Sequence, residues 1–113
     1  MQVNNDMYAD GSSDYYTESF RYTLEAHIPY FKNRSSTQLA PVTPHNTIVY
    51  NQDFFGFLLS LRVQPCYHWF IMRLNDYTSP FDFTRGVSNI LLPAVSELES
   101  IRLSWKATTV ISS

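Results

Sequence analysis

The sequence predicts an α+β protein: a small β-α-α-β module over residues 46–93, with extended N- and C-terminal arms (1–45 and 94–113) that contain β-strands. Three observations predict it. Phe54, Leu58 and Leu61 recur at i, i+4 and i+7, and Tyr67, Phe70, Ile71 and Leu74 repeat at the same period, so each set falls on one helix face. Two short runs bracket them, Thr47–Tyr50 and Val87–Leu92, rich in the residue types that fit a pleated surface. On both flanks apolar and polar residues alternate, the period of a strand with one face covered.

Residues 1–19 are polar with isolated tyrosines, a composition that predicts an arm ordered only on binding. Phe20, Tyr22, Leu24, Ala26, Ile28 and Tyr30 then alternate with Arg21, Thr23, Glu25, His27 and Pro29, which predicts a strand over about 20–29. Pro29 lacks a backbone donor and suits an edge or an end. Residues 32–46 carry Asn, Ser, Thr and two prolines and predict a loop. The first strand of the module, Thr47–Tyr50, follows.

Asp53 is placed to cap the first helix by accepting its free amide hydrogens, and Gly56 either weakens that helix or lets something approach it closely. Pro65 suits the first turn of the second helix, where its missing donor is not needed. Asn75 suits the left-handed residue that ends it. The loop 76–84 carries Pro80, Phe81 and Phe83; Arg85-Gly86 makes a turn, Val87–Leu92 the last strand, and Pro93 stops it. Ser96 and Glu99 have capping-box spacing. Ile101, Leu103, Trp105, Ala107, Thr109 and Ile111 alternate, however, so the prediction is a turn near 95–99 and a strand over about 101–111.

Of 113 residues only eight are Lys or Arg, scattered along a chain of net charge −2, which speaks against a phosphate-binding surface and hence against nucleic acid. The longest apolar run, Ile90–Val95, is far short of a bilayer span, and the first residues carry neither a basic nor an apolar export signal. The one cysteine rules out an intramolecular disulfide framework. Cys66 and His68 stand two apart, about 200° around a helix, so they do not converge on one metal. His27 and His45 have no ligand spacing near them. Glu97 and Glu99 open a turn rather than a pocket, and the three glycines are isolated. No catalytic residue, metal, cofactor or small-molecule substrate is expected. Eight Tyr, eight Phe and two Trp instead favour packing and contact.

The order strand, helix, helix, strand, with Tyr50, Asp53, Leu58, Asn75, Gly86, Leu92 and Pro93 at their stations, resembles the LysM module. That resemblance implies two helices on one side of a two-stranded sheet. It departs at Gln52, where such modules usually carry Gly, and at Phe54, where they carry Thr or Ser; those loops form the sugar groove in glycan-binding members. The run Gln64–Asp76 with its Tyr67-x-Trp69, followed by Pro80-Phe81-Asp82-Phe83 and Gly86, is similar to the LysM-like baseplate wedge proteins of contractile-tailed bacteriophages. This similarity implies a non-enzymatic virion protein of the tail baseplate, assembled in the host cytoplasm, whose partners are other baseplate proteins and copies of itself around a hub. Tyr67, Phe70, Ile71 and Leu74 then belong to the module core, and Phe20, Tyr22, Leu24, Trp69, Phe81, Phe83, Trp105 and Ile111 to interfaces. The alternative it leaves is a LysM domain that binds peptidoglycan or chitin.

Overall fold

Thr17 opens the first helix, α1 (Glu18–Ala26), its hydroxyl accepting the Phe20 amide hydrogen at 3.3 Å. In the computed structural model, residues 12–112 are described, with side-chain surroundings for 13–108. The strand expected over 20–29 is therefore a helix. Phe20 and Leu24 are buried one turn apart and Tyr22 is 80% exposed, whereas a strand would have put all three on one face. Pro29 lies in the first turn of α2 (Ile28–Lys32), which buries Phe31.

The first strand also lies elsewhere than expected. β1 is Gln38–Pro41, inside the segment read as loop, and Thr47–Tyr50 instead falls in and just after α3 (Pro44–Val49). A reciprocal cap starts α3: the Thr43 hydroxyl accepts from the Asn46 amide at 3.1 Å, and the Asn46 side chain accepts from the Thr43 amide at 3.0 Å. With Pro44 preset for the first turn, this outweighs the strand preference of Thr47, Ile48 and Val49.

Asp53 caps α4 (Phe54–Ser60) through the Gly56 amide at 3.0 Å. A β-carbon on Gly56 would come within 2.2 Å of the Asp53 carboxylate, so the glycine leaves room for the cap. The helix buries Phe54, Phe57 and Leu58; Leu61 stands outside, 41% exposed. Its end is a Schellman turn, with Arg62 left-handed at φ 65° and the Val63 amide on the Leu58 carbonyl. A 3-10 turn, Pro65–Tyr67, leads into α5 (His68–Leu74). There the left-handed residue is Asp76 (φ 64°), not Asn75, whose φ is −90°.

β2 (Asn89–Leu92) runs antiparallel to β1, pairing Leu92 with Gln38 and Asn89 with Pro41. Asn75 binds its other edge: the carboxamide accepts from the Leu91 amide at 2.7 Å and donates to the Leu91 carbonyl at 3.0 Å, as a third strand would. Pro93 is buried and is followed by α6 (Val95–Ser112). The expected strand over 101–111 is part of this helix, which turns Leu98 and Arg102 inward and leaves Leu103 58% exposed. The protein is thus α+β, with six α-helices and one two-stranded sheet among the described residues.

One core joins these elements. Phe20, Phe31, Phe54, Phe57, Phe70 and Phe83 are each no more than 1% exposed, and Leu24 and Leu98 lie in the same cluster. The segments read as arms therefore contribute core residues. Residues 1–11 of the N-terminal arm lie outside the described residues.

Candidate functional site

Helix α1 and the 3-10 turn before it (Ser12–Tyr16) form a shallow cleft of about 380 Å³ with α5, lined by Tyr16, Glu18, Arg21, Tyr22, Glu25 and Trp69. The Arg21 guanidinium lies 4.9 Å from the Trp69 ring centre and 5.7 Å from that of Tyr16, and its Nε donates to the Tyr15 carbonyl at 2.9 Å. Two rings and a backbone acceptor thus hold the cation in the cleft. Glu25 has its own partner: Arg73 binds it through Nε at 2.8 Å and Nη2 at 3.3 Å. Arg21 and Glu18 are in no ion pair among the described residues. Tyr22 and Tyr16 are widely exposed, and Trp69 is half-buried.

A second surface lies where the chain leaves β1 and re-enters β2. Val42, Pro44, Thr47, Ile48 and Val87 line a groove of about 410 Å³, with Arg85 at its rim. Gly86 makes the turn beside it at φ 98°, in the left-handed region that favours glycine. Gln52 is also left-handed (φ 59°), and its amide donates to the Phe83 carbonyl at 2.7 Å, tying the turn before α4 to the loop before β2.

A buried ionic cluster ties the start of the described chain to α6. Arg102 binds Asp14 through Nη1 at 3.0 Å and Glu99 through Nη2 at 3.0 Å, and Lys106 reaches Asp14 at 3.1 Å. The Tyr15 hydroxyl donates to Glu99, as does that of Tyr67 at 3.4 Å. Burial, with the Glu99 carboxylate beside it, pushes the Tyr15 phenol far above its ordinary range. Every fully buried side-chain nitrogen or oxygen among the described residues has a hydrogen-bond partner. This arrangement holds structure; of its members Tyr67 also lines a cleft of about 310 Å³, together with Val63, Ile71, Pro93 and Leu98.

The residues singled out by pattern separate into three sets. Leu58, Tyr67, Phe70, Ile71, Leu74 and Pro93 are buried, while Tyr50 and Leu92 are half-buried against the core. Asp53, Asn75 and Gly86 serve the backbone as described. Among the expected interface residues, Phe20, Leu24 and Phe83 are spent on this chain's own core and present nothing to a partner, which corrects that expectation. Trp105 packs on Phe20 with ring centres 4.9 Å apart. Tyr22 and Phe81 are exposed, at 80% and 67%, and Trp69 lies in the cleft. The side chain of Ile111 lies outside the described residues.

His68 is buried, donates from Nε2 to the Val63 carbonyl at 2.9 Å and packs on Phe55; burial lowers its pKa. Cys66 is buried, and the His27 ring donates to the Thr23 carbonyl. Glu97 accepts from Ser36, Arg34 and Tyr30, which lowers its pKa. No trio of His, Cys, Asp or Glu among the described residues is placed to hold a metal. No helix of the described residues is long and apolar enough to cross a membrane.

Pattern reasoning passed over Arg21, Asp14 and Arg102, because each reads as an ordinary polar position. Their partners Trp69, Arg102 and Asp14 lie 48 to 88 residues away, and nothing local announces them. Comparison with protein-family models, curated proteins and solved structures returned no match.

Proposed function

We propose that this chain is a structural subunit of a contractile phage-tail baseplate, a LysM-like brick that joins neighbouring subunits through its exposed surfaces. The observation that carries the reading is the framework around the module. The flanking strands pair antiparallel about intervening helices, Asp53 caps α4, Asn75 stitches α5 to the last strand, and left-handed residues stand at Gln52 and Gly86. Gln52 holds the conformation that explains the glycine usual there in the modules it resembles. Two departures modify the picture: the first strand is Gln38–Pro41, and three helices rather than two stand between the strands. Subunit contacts are then made by helix faces and loops, through Tyr16, Tyr22, Trp69 and Phe81, not by strand exchange between arms. The partners are other baseplate proteins and further copies of this chain, and its place is the virion tail.

Quantitative proteomics of purified tail particles tests this reading. A fixed copy number per tail that survives a high-salt wash is the expected result. Absence of the chain from assembled tails overturns it.

A second reading, a glycan-binding LysM domain, places the sugar at the loops flanking Asp53 and Tyr77–Phe81, where Phe81 is 67% exposed and offers a ring to a sugar face. Saturable retention on peptidoglycan or chitin, lost on Phe81→Ala, would favour it over the baseplate assignment.

A further inference from the structure

The cleft at Arg21 differs from the rest of the surface in one respect. Its cation lies against aromatic rings, half-buried and in no ion pair. A flexible surface arginine loses rotamer freedom when it binds. Arg21 has lost part of it already, since Trp69 and Tyr16 flank the guanidinium and the Tyr15 carbonyl engages Nε. That bond leaves the Nη groups as a planar fork, which matches the two oxygens of a carboxylate. Of the two acids in the lining, Glu25 is taken by Arg73, and Glu18 forms no ion pair with Arg21.

The rim adds area for a second contact. Tyr22 is 80% and Tyr16 58% exposed, and Trp, Tyr and Arg are the residues enriched at the energetic centres of protein interfaces. The charge of the cleft restricts the ligand. Glu25 is matched by Arg73, so Arg21 and Glu18 are the charges left in the lining; one carboxylate is matched by the one guanidinium, whereas a dianionic phosphate brings a second charge that nothing in the lining offsets.

We propose that the Arg21–Trp69 cleft docks a partner polypeptide that presents one Asp or Glu carboxylate beside an apolar side chain. The carboxylate pairs with the Arg21 fork, and the apolar side chain lies across Tyr16 and Tyr22. The proposal rests on the assembly role given above, but its test is independent of it, because particle proteomics reads incorporation and the following reads ligand chemistry.

The full chain, labelled with ¹⁵N, is titrated with the capped peptide acetyl-Phe-Glu-Phe-amide and with its neutral counterpart acetyl-Phe-Gln-Phe-amide. The Trp69 indole resonance is followed, and that of Trp105 serves as an internal reference. The Glu peptide is expected to shift Trp69 saturably, with affinity at least about tenfold above the Gln peptide, the size of effect seen for one interfacial charge contact. Arg21→Met is expected to abolish the difference between the peptides, and Arg21→Lys, which keeps the charge without the fork, to retain only part of it. Glu18→Gln is expected to tighten the Glu peptide, a gain that loss of folding cannot imitate. Equal response to both peptides, no Trp69 shift at millimolar Glu peptide, or weaker binding on Glu18→Gln would overturn the proposal.

Discussion

Replacing Asn75 by alanine removes three side-chain hydrogen bonds at once, to the Leu91 amide (2.7 Å), the Leu91 carbonyl (3.0 Å) and the Ile71 carbonyl (2.8 Å). The Ile71 carbonyl keeps its helical partner, the Asn75 amide, at 3.2 Å, so its loss is small. Both Leu91 groups, on a half-buried residue at the edge of β2, are left to whatever water can reach them. At about 1–1.5 kcal/mol for each, the cost is about 2–3 kcal/mol. Against a total of about 5–15 kcal/mol for a domain of this size, that is a large loss. Urea unfolding followed by tryptophan fluorescence measures it, and the midpoint is expected to fall with the slope unchanged. Asn75→Asp sharpens the test. Its carboxylate still accepts from the Leu91 amide but faces the Ile71 and Leu91 carbonyls with no proton to give, so its pKa is raised in the folded state. The penalty is present at neutral pH and is relieved as pH falls through that raised value. A loss below about 0.5 kcal/mol for Asn75→Ala would refute the claim that this carboxamide completes the sheet edge.

Three further outcomes follow from the geometry. Arg102→Met leaves Asp14 with Lys106 as its one counter-charge and Glu99 with only the Tyr15 and Tyr67 hydroxyls, and is expected to cost about 3 kcal/mol in urea unfolding, while Lys106→Met, at a half-exposed partner of the same Asp14, costs less than about 1 kcal/mol. Gly56→Ala displaces the Asp53 cap, so the gain of about 1 kcal/mol in helix propensity is cancelled by the lost cap; on an Asp53→Ala background the same change is expected to stabilise by about 1 kcal/mol, a difference that thermal melts detect. His68, whose folded pKa is lowered by burial, favours the unfolded chain as pH falls below about 6.5, so stability is full above that value and is lost down to the folded pKa; His68→Gln is expected to flatten the stability profile between pH 7 and 5.

The parts of this fold legible in the sequence are those set within one helical turn or one stripe. Asp53 three residues before the Gly56 amide, Pro65 entering the turn before α5, and Tyr67, Phe70, Ile71 and Leu74 on one face need no distant partner, and each is found as read. The cap of α3 is equally local, since Thr43-Pro44 with Asn46 spells it, but the β-branched run after it carries the opposite, strand preference. The cleft was legible only through Trp69 and Tyr22. Arg21, which gives it its chemistry, is one polar residue in an alternating run.

The alternating flanks mark the boundary between what the chain determines by itself and what its tertiary structure decides. A period of two contains every fourth residue, so Phe20, Leu24 and Ile28 satisfy strand and helix alike, and so do Ile101 and Trp105. Composition alone therefore establishes that these segments have apolar faces to bury. Which periodicity is used depends on what they meet. Phe31 completes the helical stripe of 20–31 because Phe70 lies 5.1 Å from it, and Arg102 counts as an inward position only because Asp14 and Glu99 neutralise it there. An arginine reads as a surface residue until its counter-charge arrives, because burial of an unpaired cation costs more than a helix turn returns.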